Sequence, residues 1–263
     1  MLKNMGSVPW LIVQLKDQSF AISAGVVREI VALPHCSRIP LLPPHIRGVI
    51  KVRDEVMPLV DARMRIGARS VEEETEEFCS ILEQREADHR HWLKELDDSV
   101  SVGKAFGLTT DPHRCAFGEW YDSYRPENPW IAGHLAKFDR PHKSIHAIAS
   151  EVLPLQASGQ GEKAKGIIER TRNRDLAEMI ALFAEMKRLV RESSRETAVV
   201  IVSAGRTFAV SVDRALSLET IEDGSVEELP AGSHAARGGL VEKLARRAGD
   251  KQPVLILEPD RLL

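Results

Sequence analysis

Four side chains in the middle of this sequence, His89, Cys115, His142 and His146, are of the types that hold a borderline-soft metal ion. A structural zinc ion takes four thiolate or imidazole donors in a tetrahedron. His142 and His146 stand four residues apart, so on a helix both rings leave one face and can reach a single ion. Cys115 opens the run Cys115-Ala116-Phe117-Gly118-Glu119-Trp120, where Gly118 removes a side chain and lets its helix approach a neighbour closely. Four protein ligands leave no open position for water or substrate, so the chain is expected not to be an enzyme; a zinc hydrolase would need fewer ligands and a solvent-open site. Every donor must be deprotonated to bind, and affinity therefore falls as pH drops through the histidine range. The thiolate is also the one oxidisable ligand, and sulfenic acid formation weakens its hold on a metal. His35, His45, His113, His134 and His234 have no comparable company, and Cys79 lies too far before His89 to share its ion.

Helices must position these donors. From Ser70 to about Arg195 apolar residues recur at three- and four-residue steps. On the first helix Phe78, Leu82, His89, Trp92, Leu96 and Val100 form one stripe, so His89 points inward, and His91, about 200° further round, faces water. Asp111-Pro112 reads as a cap and first-turn proline of a short helix carrying Cys115. A third helix, from about Asn128 to Leu155, has the seam Ile131, Leu135, Phe138, His142, Ile145, Ala149 and Val152, with a kink or restart expected at Pro141. The fourth, about Gly161 to Glu192, carries Leu176, Met179, Phe183, Met186 and Val190 in heptad spacing. Four helices with modest loops imply an antiparallel bundle.

The flanks have another texture. Residues 8–67 fall into short apolar groups broken by Pro and Asp, and β character resumes after Glu196 with the alternating Arg206-Thr207-Phe208-Ala209-Val210-Ser211-Val212. The simplest organisation is one discontinuous all-β domain, residues 1–69 plus 196–263, interrupted by a helical domain at 70–195; two separate small β domains are the competing partition. At 43% hydrophobic residues the chain can build real cores. A net charge of −3 gives no general attraction for nucleic acid. No apolar run reaches the ~20 residues that span a bilayer, and Met1 to Trp10 lacks the core of a signal peptide, so a cytoplasmic location without membrane insertion is expected. Three scattered cysteines do not make a disulfide framework.

The array His89-x-x-Trp92, 22 residues, Cys115-x-Phe117-Gly118-x-Trp120, 21 residues, His142-x-x-x-His146 resembles the chemoreceptor zinc-binding family. That resemblance implies Zn2+ held by His89, Cys115, His142 and His146, with zinc sensing joined to a response to oxidants such as hypochlorous acid. The flanks resemble the CheW-like coupling domain of bacterial chemotaxis, through Val27-Arg28-Glu29-Ile30, Arg47-Gly48-Val49-Ile50-Lys51-Val52-Arg53-Asp54, Val56-Met57-Pro58-Leu59-Val60-Asp61 and, more loosely, Phe208-Ala209-Val210-Ser211-Val212-Asp213 and Val254-Leu255-Ile256-Leu257. It implies paired small β-barrels, a partner-contacting arginine at Arg53, and a turn in which Asp54 replaces the family's usual glycine. Together the resemblances imply a non-catalytic chemotaxis adaptor that couples chemoreceptor cytoplasmic tips to the CheA histidine kinase under zinc or oxidant control. A homodimer is one assembly open to it. The alternative is a zinc-stabilised scaffold or zinc buffer in another signalling route, such as diguanylate cyclase control.

Overall fold

The structure is a computed structural model that describes residues 7–229, 240–247, 249 and 252–263; His234 lies outside them. The chain divides at Glu74/Thr75 and again at Ser193/Ser194, its outer segments forming a β unit and its middle segment a helical unit.

The strands of the β unit are β1 (Ser7–Leu15), β2 (Gln18–Ser23), β3 (Val27–Ala32), β4 (Cys36–Ser37), β5 (Ile46–Val52), β6 (Glu55–Asp61), β7 (Thr197–Ser203), β8 (Arg206–Val212), β9 (Arg214–Glu222), β10 (Val226–Glu228), β11 (Lys243–Ala245) and β12 (Val254–Ile256). They make two six-stranded sheets, ordered β10-β11-β12-β2-β1-β9 and β3-β7-β8-β6-β5-β4. Each sheet draws on both outer segments, which are joined by the parallel pairs β12 with β2 and β6 with β8. Neither segment completes a sheet alone.

Strand alternation explains the packing. Leu11, Val13 and Leu15 of β1 meet Val199, Ile201, Phe208 and Val210 of the second sheet in a shared core. Ile12 and Ala21, on the opposite face, pack with Ile221, Val254 and Ile256. Ile50, Met57, Leu59, Val200 and Ala209 make the matching cluster of the second sheet. Each sheet thus encloses a core of its own beside the one it shares, the arrangement of paired small barrels. Strands covered on both faces read as continuous apolar runs, which is why Ala198 to Ile201 shows no alternation.

The β5–β6 turn corrects one expectation. The left-handed residue is Arg53, with φ 54°, and Asp54 is not in that region. The demand for unusual backbone therefore falls one position earlier than the family's glycine suggests. Arg53 is exposed and reaches Glu29, 3.1 Å away.

The first segment ends in a short helix, α1 (Ala62–Arg65), whose Met64 N–H donates to Asp61 at 3.0 Å. The long helix α2 (Val71–Val102) then starts on a reciprocal capping box: Glu73 N–H donates to Ser70 Oγ at 3.0 Å, and Ser70 N–H to Glu73 Oε2 at 3.1 Å. Its first turn is held by arginines of the β unit. Arg63 reaches Glu74 at 2.7 Å and pairs with Asp213, while Arg47 sits 2.6 Å from Glu196 and 3.5 Å from Glu72. The first turn of α2, up to Glu74, therefore groups with the β unit.

The helical unit continues with α3 (Ala116–Ser123), α4 (Pro129–Leu135), α5 (Asp139–Ala147), α6 (Ala149–Ala157), α7 (Gly161–Thr171) and α8 (Ala177–Ser193). Two of the helices expected from the sequence are segmented. A 3-10 turn at Ala136–Phe138 precedes α5, placing Pro141 in that helix's first turn, where backbone donors have no helical acceptor and a missing N–H costs nothing. A π-turn at Arg172–Leu176 separates α7 from α8. The seam residues nevertheless pack together: Leu82, Trp92, Leu96, Phe117, Ile131, Leu135, Phe138, Ile145, Val152, Met179, Phe183 and Met186 belong to one core.

Candidate metal centre

The four donors predicted from the sequence converge. One ligand atom from each of His89, Cys115, His142 and His146 lies within 4.8 Å of the others, and this is the cluster of that kind found among the described residues. The histidine rings stand edge-on to one another, with centroids 5.1 Å apart for His89 and His142, 5.7 Å for His89 and His146, and 4.9 Å for His142 and His146. All three histidines are buried, and Cys115 is half-buried. His91 is exposed, as the helical phase requires.

Each donor is placed by its local backbone. His89 sits mid-α2, and its Nδ1 is 2.8 Å from the carbonyl of Arg85, one turn earlier. A donor at Nδ1 leaves Nε2 as the lone-pair nitrogen, the second-shell arrangement that fixes the tautomer of metal-binding imidazoles. Cys115 differs from the sequence expectation. It is not inside a helix but between two: Asp111 caps a 3-10 turn at Pro112–Arg114, and Cys115 is itself the N-cap of α3, its sulfur accepting from Gly118 N–H at 3.2 Å. A thiolate there meets the positive end of the helix. The close approach made by Gly118 is also different in kind. A Cβ at this position would lie 1.8 Å from the Pro112 carbonyl oxygen, so glycine lets the 3-10 turn fold back on α3 rather than letting two helices meet. His142 and His146 emerge one turn apart from α5, and His142 Nε2 lies 3.2 Å from the Cys115 sulfur.

The surroundings are largely aromatic. Phe117 packs 4.8 Å from the His142 ring and 5.5 Å from His89, while Trp92 packs 4.8 Å from His146 and donates through its indole N–H to Thr109 at 2.8 Å. Burial holds His142 down at about 3, helped by the repulsion that protonated His89 and His146 would exert, and holds His146 at about 4. It lowers His89 too, and it raises the Cys115 thiol above its ordinary range. At neutral pH the metal-free pocket therefore holds three neutral imidazoles and a protonated thiol.

This donor set fits a zinc ion. His89 Nε2 and both ring nitrogens of His146 are buried without a hydrogen bond of good geometry, although the Thr109 backbone acts on His146. Leaving such atoms unpaired is costly, and their convergence beside a cysteine is what a cation of this chemistry satisfies.

Several contributors carried no sequence signal of their own. The Arg85 carbonyl was accessible only through the i−4 relation to His89, and the Gly118 N–H only once Cys115 was seen as a cap. Cys36 and Cys79 take no part in the cluster, and Arg53 belongs to the β unit.

A discontinuous β unit with a helical segment holding a three-histidine, one-cysteine cluster defines the class of protein. Residues 9–107 match the family model of the CheW-like domain, and residues 89–153 match that of the chemoreceptor zinc-binding domain. The chain is thus similar to a CheW-like domain over residues 9–107 and to a chemoreceptor zinc-binding domain over residues 89–153, a pairing that points to chemotactic signal transduction. The CheW-like match runs on into α2, whereas β7 to β12 lie outside both matches. No curated protein matches the chain. Among solved structures, the crystal structure of the scaffolding protein TtCheW from Thermoanaerobacter tengcongensis aligns at 11% identity with a TM-score of 0.45, covering 96% of this chain and 90% of that one.

Proposed function

We propose that this chain is a non-catalytic coupling adaptor of chemotactic signalling whose inserted helical unit binds Zn2+ through His89, Cys115, His142 and His146. The observation that carries the reading is the convergence of these four donors, with unpaired buried nitrogens on two of them, inside a domain inserted between the strands of a CheW-like unit. The bound ion would staple α2, α5 and the cap of α3, elements otherwise joined by loops. Its chemistry here is that of a structural Lewis acid, which keeps the Cys115 sulfur as thiolate.

The partners are chemoreceptor cytoplasmic tips and the CheA histidine kinase, bound through the β unit, with Arg53 on a contact surface. Its side chain is 81% exposed, which leaves it accessible to a partner. Signalling follows from a change of zinc occupancy or from oxidation of Cys115 to the sulfenic acid, which withdraws one donor and frees the N-terminus of α3. No helix among the described residues is long and apolar enough to cross a membrane, and the adaptor acts in the cytoplasm.

The test is co-sedimentation of the full chain with receptor–kinase complexes, with zinc present, with zinc chelated, and for Cys115→Ser. The reading requires binding to change with metal state. Equal binding in all three conditions would leave zinc as a static staple.

A further inference from the structure

A cleft of about 360 Å³ leads from the surface of the helical unit to the cluster. His89, Cys115 and His146 line its inner part, while Gln84, Asp88 and His91 stand at its solvent-facing rim. His89 and His146, whose ring nitrogens are buried without a well-formed hydrogen bond, are both among the lining residues. Its rim carries one organised carboxylate. Asp88 is fixed by Gln84 Nε2, donating at 2.9 Å, and by Arg85, donating at 2.8 Å, and it adjoins His89 in sequence. Its charge is felt by both Cys115 and His89, from two different elements of the cluster.

Resting on the zinc reading above, we infer that this cleft is the path by which the metal ion reaches the cluster, and that Asp88 is its first contact. A divalent cation must exchange hydration for protein donors on the way in. A carboxylate at the rim supplies both a hard oxygen ligand and an attractive field. Arg85 works against uptake, since its guanidinium shares the rim; Asp88 offsets it. The rim carboxylate thereby sets how fast the site fills, while the four buried donors set how long the ion stays.

The test uses the metal-free full chain and Co2+ alone, with uptake followed in a stopped-flow instrument by the thiolate-to-cobalt charge-transfer absorption. Release is followed by mixing the loaded chain with excess chelator. Asp88→Asn, which removes the charge and can keep only one of the two accepted hydrogen bonds, is expected to slow uptake about tenfold at low ionic strength, with the difference shrinking as salt is raised. Release should be unchanged, because a rim charge acts on association. Arg85→Met should speed uptake. Asp98→Asn, on an exposed position of the same helix paired with Lys94, should do neither. The inference is overturned if Asp88→Asn leaves uptake unchanged, if its effect lies in the release rate, or if His91→Ala slows uptake while Asp88→Asn does not. Failure of every form to take up cobalt would instead overturn the zinc reading itself.

Discussion

At the scale of single residues the cluster is built to meet a metal ion rather than protons. Zinc uptake near neutral pH should release about one proton, from the raised thiol of Cys115, because the buried histidines have none to lose. Calorimetry in buffers of different ionisation enthalpy measures this number, and a release of two or more would contradict the burial argument. Cys115→Ser should bring it close to zero. The same burial makes the metal-free chain acid-sensitive. Unfolded imidazoles take up protons below about 6.5, whereas His142 and His146 resist until about 3 and about 4, so over that window the unfolded chain binds more protons. Stability is therefore full above pH 6.5 and drains as pH falls, by roughly 3–5 kcal/mol for His142 alone. Thermal unfolding under chelator, followed by helical circular dichroism between pH 7 and 4, should show a steeply falling midpoint. The donors were legible in the sequence because their types are rare and one pair is spaced at a helical turn. What orients them was not, since the Arg85 carbonyl and the Gly118 N–H are backbone groups that every residue carries.

At the scale of elements the decisive device is the 3-10 turn folded against α3. Gly118→Ala would drive a methyl into the Pro112 carbonyl, separating the turn from the helix and displacing the Cys115 sulfur. We expect a loss of about 1–3 kcal/mol of stability and of about ten- to a hundredfold in zinc affinity, read by chelator competition and thermal unfolding. Pro141→Ala is the contrasting case. Pro141 occupies the first turn of α5, where its missing donor is not needed, so replacing it should cost only the buried methylenes of its ring, about 1–2 kcal/mol, and leave zinc affinity unchanged. The sequence pattern showed which stripes would be buried, and Ile131 through Val152 kept their phase although three helical segments replace the single expected one. The breaks were hidden for a physical reason. Periodicity reports which face is apolar, while the switch to 3-10 or π geometry at Ala136–Phe138 and Arg172–Leu176 changes the hydrogen-bond register with little change of face. The Cys115 cap was misplaced because Asp111-Pro112 signals a helix start without saying how far the first turn runs.

For the whole molecule the question is how a metal in the helical unit could be felt in the β unit, and the sequence of the first segment holds the parts of an answer. The first turn of α2 carries Glu72 and Glu74, and both carboxylates reach arginines of the β unit. Arg47 also neutralises two carboxylates, Asp61 and Glu196, that burial pushes upward, and Glu196 precedes the returning strand β7. One guanidinium therefore bonds both the start of α2 and the strand that resumes the sheet. Removing Arg47 would strand buried charges at a cost of about 3–5 kcal/mol, which makes it a poor probe. Glu72 and Glu74 are better ones, being partly exposed, so that Glu72→Gln with Glu74→Gln should cost no more than about 1 kcal/mol for each pair lost. If these bonds transmit the signal, the double variant should bind zinc like the native chain, with the same chelator competition curve. Its binding to receptor–kinase complexes should then no longer change when zinc is removed. A variant that kept the full zinc response would move the coupling to the other connection, at Ser193/Ser194, where Arg191 holds Glu76 at 3.1 Å within the helical unit.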